Sequence, residues 1–173
     1  MQELTGVTSA ILSDEVVALA RRVITENAAI KRKVAVAESC TGGLVCAALT
    51  EIAGSSAVLD RGFVTYSNEA KQQSLGVSED ILEAFGAVSP ATAWAMAQGA
   101  LRNSEADVAV AISGIAGPDG GSLLKPVGTV VFACALRDQP NESVNAEQRM
   151  LDGKDRSEIR LQATLVALEL LLP

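Results

Sequence analysis

The chain has 173 residues, 49% hydrophobic and 20% charged, with a formal net charge of −7 and no histidine. That length and apolar content fit a single folded domain over 1–173 and exclude a disordered chain. The negative charge argues against a nucleic-acid partner, because a phosphate backbone calls for a basic surface. Three cysteines (Cys40, Cys46, Cys134) without a CxxC pair argue against a disulfide framework or a structural zinc site and point to a reducing compartment. The amino terminus lacks the pattern of a secretory leader, and no apolar run approaches the ~20 residues that span a bilayer. A cytoplasmic location and no membrane partner are expected.

Ser13 caps a helix with Asp14 and Glu15 in its first turn and Val16, Leu19, Ala20, Val23 and Ile24 on one face. Lys33 to Glu38 reads as a buried strand. It breaks into Ser39-Cys40-Thr41-Gly42-Gly43, after which Leu44 to Leu49 reads as a helix ending near Ala53. Arg61 to Tyr66 is a second strand. Asn68 caps a short helix through Gln73, stopped by Gly76. Ser78 caps another short helix, and Ser89-Pro90 opens a longer one with a small-residue apolar face. Asp107 to Ser113 is a third strand, Gly114 to Pro126 a long glycine-rich loop, and Thr129 to Leu136 a fourth strand. Ser143 to Met150 reads as an edge strand, and Asp155 caps the last helix.

Near-continuous apolar strands interleaved with helices imply an α/β fold whose sheet is covered on both faces. The first β-α-β unit should be a right-handed parallel crossover, and the late run of strands without helices should include an antiparallel one. In such sheets ligands gather at the carboxyl ends of parallel strands. Three segments fall there: Ser39 onward, Tyr66 to Lys71, and Ser113 to Gly121.

The first segment places two hydroxyls and a thiol beside free backbone N–H groups. Ser39 reads equally as a helix cap and as a nucleophile. As a nucleophile it needs a base, and without histidine the choice falls on a carboxylate, on lysine, or on lysine acting through tyrosine. Lys71 lies in the first turn of the helix after the second strand, with Tyr66 at that strand's end. Free lysine titrates near 10.4 and a useful base near 7–8, so roughly 4 kcal/mol of tuning is required. A helix terminus supplies only ~0.3–1 kcal/mol, which leaves burial or a nearby cation such as Arg61 to supply the rest. The Cys40 thiol is an alternative nucleophile if the helix terminus lowers its pKa. Cys46 and Cys134 sit in apolar runs and read as core. The Gly114–Pro126 loop matches neither a Walker nor a Rossmann pattern, but its glycines allow backbone amides to wrap an anion. Asp119 is a lone carboxylate; without histidines or an acid cluster no metal is expected. Leu123 and Leu124 are candidates for burial against another subunit, so a homo-oligomer is expected.

The strings AESCTGG, GSS, RGFVTYSNEAK, GAVS, VAISGIAGPDGGS and KPVGTV resemble the CinA carboxy-terminal domain family over roughly Val16 to Ala167. The resemblance implies a three-layer α/β/α sandwich with a mixed, mostly parallel five-stranded sheet. It implies hydrolysis of the carboxamide of nicotinamide mononucleotide, a small nucleotide substrate, to nicotinic acid mononucleotide and ammonia, with no cofactor. It implies Ser39 as nucleophile with Lys71 and Tyr66 as catalytic partners. Cys40, Thr41, Gly42 and Gly43 would form the oxyanion and ligand cradle, with Asn68, Ser113, Gly114 and Gly117 also binding substrate. Full-length CinA proteins carry a further amino-terminal domain without a counterpart in these residues, which implies the stand-alone form. A glycine-aspartate-arginine step common before the family's last helix reads here Gly153-Lys154-Asp155-Arg156, one residue longer, which leaves the role of Arg156 open. The alternative reading is a non-catalytic nucleotide-binding or regulatory module linked to competence or DNA damage.

Overall fold

The computed structural model describes residues 11–140 and 144–173. In chain order it runs α1 (Asp14–Ala29), β1 (Val34–Glu38), α2 (Leu44–Thr50), a 3-10 turn (Ser55–Ala57), β2 (Leu59–Val64), α3 (Asn68–Leu75), α4 (Glu79–Phe85), α5 (Pro90–Arg102), β3 (Val108–Gly114), β4 (Thr129–Leu136), β5 (Asn145–Met150) and α6 (Arg156–Glu169). The five strands form one sheet in the order β2-β1-β3-β4-β5. β1 is parallel to both β2 and β3, whereas β4 is antiparallel to β3 and to β5. The sheet is therefore mixed and mostly parallel, as expected.

Side-chain alternation along the central strands divides the core into two halves of different grain. Val34 and Val36 of β1, Val108, Val110 and Ile112 of β3, and Val130 and Phe132 of β4 point to one face, where they pack with buried residues of α1, α2 and α6. Each such side chain contributes about 1.5–3 kcal/mol when removed from water. The other face carries Ala35, Ala37, Ala109, Ala111, Ala133 and Ala135 and packs with α5 and with Leu75 and Leu82 of α3 and α4. Alanine on the sheet and Ala93, Ala97 and Ala100 on α5 let that helix sit close to the strands. At Gly99 of α5 an added Cβ would overlap the carbonyl of Leu75 at the end of α3. These layers make the three-layer α/β/α sandwich.

The helix caps follow the sequence with one exception. Ser13, Ser78, Ser89 and Asp155 each accept a hydrogen bond from a first-turn N–H of α1, α4, α5 and α6. α3 is capped by Ser67, not Asn68, and it runs on to Leu75 before Gly76 ends it at φ +66°. β2 also differs. It starts at Leu59, two residues before Arg61, and ends at Val64, leaving Tyr66 beyond the strand, because the backbone ladder to β1 runs from Leu59 to Val64. β5 starts at Asn145, and Ser143 lies outside the described residues. α2 ends at Thr50, three residues short of Ala53. Among the described residues no helix is long and apolar enough to cross a membrane.

Sheet register then sets the site. Glu38 pairs with Val64 on one side and Ile112 on the other. Ser39 and Thr65, just past β1 and β2, and Ser113, near the end of β3, therefore lie at one level. β1 has parallel neighbours on both sides, which is where an open sheet forms its crevice.

Candidate active site

Two of the three predicted catalytic side chains meet at the end of β1. The Lys71 amine donates to Ser39 Oγ at 3.1 Å and to the carbonyl of Thr65 at 2.9 Å. Lys71 is 1% exposed and Ser39 8% exposed. Among the described residues no carboxylate pairs with this lysine. Burial holds its pKa below the usual lysine value, with the neighbouring Cys40 opposing the effect in smaller measure. The sequence offered Arg61 as a source of that tuning. Arg61 instead pairs with its neighbour Asp60 at 2.9 Å on the exposed edge strand, so burial does the work.

Tyr66 is placed differently from the expected relay. Its ring is 60% exposed, and its hydroxyl accepts a hydrogen bond from Arg156 at 2.7 Å. The same guanidinium donates to the carbonyl of Gly117 at 2.7 Å. Arg156 thus ties the end of β2 to the glycine loop after β3 across the mouth of the site. The extra residue in Gly153-Lys154-Asp155-Arg156 leaves that arginine at the first position of α6, facing the cavity.

The cavity over Ser39 has a volume of about 270 Å³. Ser39, Cys40, Tyr66, Asn68, Lys71, Ser113, Gly114 and Gly117 all line it, so most of the predicted residues converge. The sequence missed Ala87 and Val88, which form a wall between α4 and α5, whereas Ile115, Ala116, Asp119 and Gly120 belong to the Ser113–Gly121 segment it singled out. Ser113 Oγ donates to the carbonyl of Ala87 at 2.8 Å and fixes that wall.

Thr41, Gly42 and Gly43 are not in the lining, and their surroundings explain why. The buried carboxylate of Glu38 accepts from the N–H groups of Gly43 (2.9 Å), Val45 (3.2 Å) and Cys46 (3.0 Å). It fills the amino end of α2 with negative charge from the protein itself. Gly42 N–H donates to the Ser39 carbonyl at 3.0 Å, making the tight turn that its φ of +61° allows. Arg160 of α6 holds the carbonyls of Cys40 and Thr41 at 3.1 and 2.9 Å. Ser39 therefore does not cap α2: Gly43 stands at the cap position, and Glu38 supplies the acceptor. That leaves the serine hydroxyl to the lysine. Glu38 was legible only as the one acid in an apolar strand, with nothing to announce three amide partners.

Cys40 also departs from expectation. Burial pushes its thiol up to about 11, and the Glu38 charge pushes in the same direction. The helix terminus does not activate it, because Glu38 already occupies that terminus. Cys46 and Cys134 are partly buried and pack against the core, and burial raises both thiols as well.

The family sequence model of the CinA C-terminal domain matches residues 16–173. A nicotinamide-nucleotide amidohydrolase PncC from Enterobacter agglomerans is 55% identical over 146 residues, covering 83% of this chain and 87% of that protein. A putative competence-damage inducible protein from Caldicellulosiruptor bescii is 48% identical over 166 residues, covering 96% of this chain but 38% of that longer protein. The crystal structure of competence/damage inducible protein CihA from Agrobacterium tumefaciens superposes with a TM-score of 0.88 at 50% identity, covering 93% of this chain and 96% of that one.

Proposed function

The chain belongs to the CinA C-terminal domain family, and on that premise we propose that it is a nicotinamide-nucleotide amidohydrolase. The reaction is hydrolysis of the carboxamide of nicotinamide mononucleotide to nicotinic acid mononucleotide and ammonia. The observation that carries this reading is the buried Lys71 amine at 3.1 Å from Ser39 Oγ, inside hydrogen-bond reach for direct proton transfer. The amidohydrolase relative at 55% identity supports the substrate.

Neutral Lys71 takes the proton of Ser39 as Oγ bonds to the carboxamide carbon. The carbonyl π electrons move onto oxygen, and the backbone N–H of Cys40, the residue after the nucleophile and part of the cavity wall, steadies the oxyanion. Lys71 then passes its proton to the amide nitrogen, the C–N bond breaks, and ammonia leaves an acyl-enzyme. Water attacks that ester while Lys71 accepts its proton, and the proton returns to Ser39 Oγ as the acid departs. The direct contact makes a tyrosine relay unnecessary. Tyr66 instead serves the rim by holding Arg156. The carboxamide end fits the closed end of the cavity, and the sugar and phosphate extend toward Asn68, Arg156 and the Gly114–Gly120 loop.

Incubating the protein with nicotinamide mononucleotide tests this reading. Equimolar ammonia and nicotinic acid mononucleotide are expected. Binding without product over hours would favour the non-catalytic nucleotide-binding module instead, a reading that leaves an unpaired buried lysine beside a serine unexplained.

A further inference from the structure

Among the described residues, the cavity over Ser39 is lined by a single carboxylate, Asp119. The other polar side chains of the lining are largely committed. Lys71 binds Ser39 and the Thr65 carbonyl, Ser113 binds the Ala87 carbonyl, and Arg156 binds Tyr66 and the Gly117 carbonyl. Asp119 has no hydrogen-bond or ion-pair partner among the described residues, and it is exposed on the rim.

Its loop is nonetheless fixed. Gly117 and Gly121 flank it and both press on Val127. A Cβ at Gly117 would come within 2.6 Å of the Val127 side chain, and one at Gly121 within 2.9 Å of the Val127 nitrogen. Arg156 clamps the Gly117 carbonyl at 2.7 Å. Behind them Gly128 N–H donates to the Ile115 carbonyl at 2.8 Å, and Ile115 N–H donates to Thr129 at 2.9 Å. A carboxylate held on such a loop is preorganised and lacks only a donor.

A carboxylate facing a nucleotide does not suit phosphate. It suits the vicinal hydroxyls of ribose, which donate to it in charge-assisted hydrogen bonds. We propose that Asp119 is the sugar-reading residue of the site, accepting hydrogen bonds from the ribose hydroxyls while the carboxamide lies at Ser39. This rests on the nucleotide amidohydrolase reading. It explains how the site would distinguish a ribosylated nicotinamide from the free base, which offers the same amide but no hydroxyls.

The test is a cycle of enzyme and substrate changes, with kcat and KM measured for wild type, Asp119→Asn and Asp119→Ala. The substrates are nicotinamide mononucleotide and its 2′,3′-dideoxy analogue. Removing the hydroxyls should cost wild type roughly 10- to 100-fold in kcat/KM, the size of lost charge-assisted hydrogen bonds, mostly through KM. Asp119→Ala should lose about as much on the natural substrate. Variant and analogue together should lose little more than either alone. Losses that multiply, or an Asp119→Ala enzyme unchanged on nicotinamide mononucleotide, overturn the assignment. A melting temperature matching wild type excludes misfolding as the cause, and Asp119→Asn, which keeps the side chain's shape, provides a second variant. Failure of the wild-type arm to release ammonia would overturn the amidohydrolase reading itself. Turnover by wild type with multiplying losses would overturn the Asp119 assignment alone.

Discussion

The Lys71 amine stands 3.1 Å from the hydroxyl of Ser39, and the lysine is 1% exposed with no carboxylate beside it among the described residues. A buried lysine without a counter-ion is costly as a cation and useful as a neutral base. Its partners, a serine hydroxyl and the Thr65 carbonyl, orient it without neutralising it.

The pH profile follows from that burial. The folded pKa of Lys71 lies below its ordinary 10.5, so kcat/KM should rise with pH through that depressed value and fall away on the acid side, where the amine is charged. Between the depressed value and 10.5 the unfolded chain binds a proton that the folded protein does not, so this group makes stability increase with pH. Lys71→Met should abolish turnover by at least 10²–10⁴-fold, the range for a general base, and flatten that part of the stability profile. Denaturant titrations and initial rates across pH measure both. A Lys71→Met enzyme with an unchanged acid limb would refute the assignment.

Cys40 lines the same cavity, but its thiol is pushed up to about 11. At pH 7.5 it should resist iodoacetamide under native conditions, and Cys40→Ala should keep turnover within a few-fold of wild type. Mass spectrometry of the alkylated protein reads the first outcome. Rapid labelling of Cys40 with loss of activity would return the thiol to contention.

Glu38 joins β1 to α2 through three N–H groups while fully buried. Glu38→Ala strands those donors and should cost on the order of 3 kcal/mol, since caps and charge-accepting hydrogen bonds each fall in the 1–3 kcal/mol range. In a domain of this size that lowers the melting temperature by about 6–12 °C. Turnover should fall as well, because the turn that carries Ser39 loses its anchor. Calorimetry showing an unchanged transition would contradict the cap.

Gly99 should not tolerate a methyl group. Alanine is intrinsically better than glycine in a helix by about 1 kcal/mol, yet here its Cβ would meet the Leu75 carbonyl. We expect Gly99→Ala to destabilise by roughly 2 kcal/mol through displacement of α3, the helix that carries Lys71. A thermal melt showing stabilisation would mean that α3 and α5 do not pack this closely.

Much of this was legible because local chemistry and tertiary packing agreed. Seven consecutive apolar residues, Val130 to Leu136, preceded by Thr129 and bounded by Gly128 and Arg137, mark β4 at both ends. Ser89-Pro90 marks the start of α5, and Gly76 the stop of α3. The lack of histidine directed attention from Ser39 to Lys71, and strand register brought them together. What the sequence could not show were partners distant along the chain or hidden in the backbone. Tyr66 looks like a strand-end relay until Arg156, 90 residues later, takes its hydroxyl. Gly42 and Gly43 look like an anion cradle until Glu38 takes the amino end of α2. Asn68 looks like a cap because a serine one residue earlier fits as well, and only backbone geometry separates them.

Ammonia release from nicotinamide mononucleotide by wild type and by Ser39→Ala, each verified as folded by its melting curve, tests the central claim most directly. The Ser39 side chain bonds to Lys71 and caps no helix, so its removal should leave the fold intact. Wild type should release ammonia with an equal amount of nicotinic acid mononucleotide, and Ser39→Ala should fall by at least 10³-fold. A folded Ser39→Ala protein that turns over at the wild-type rate would contradict the account.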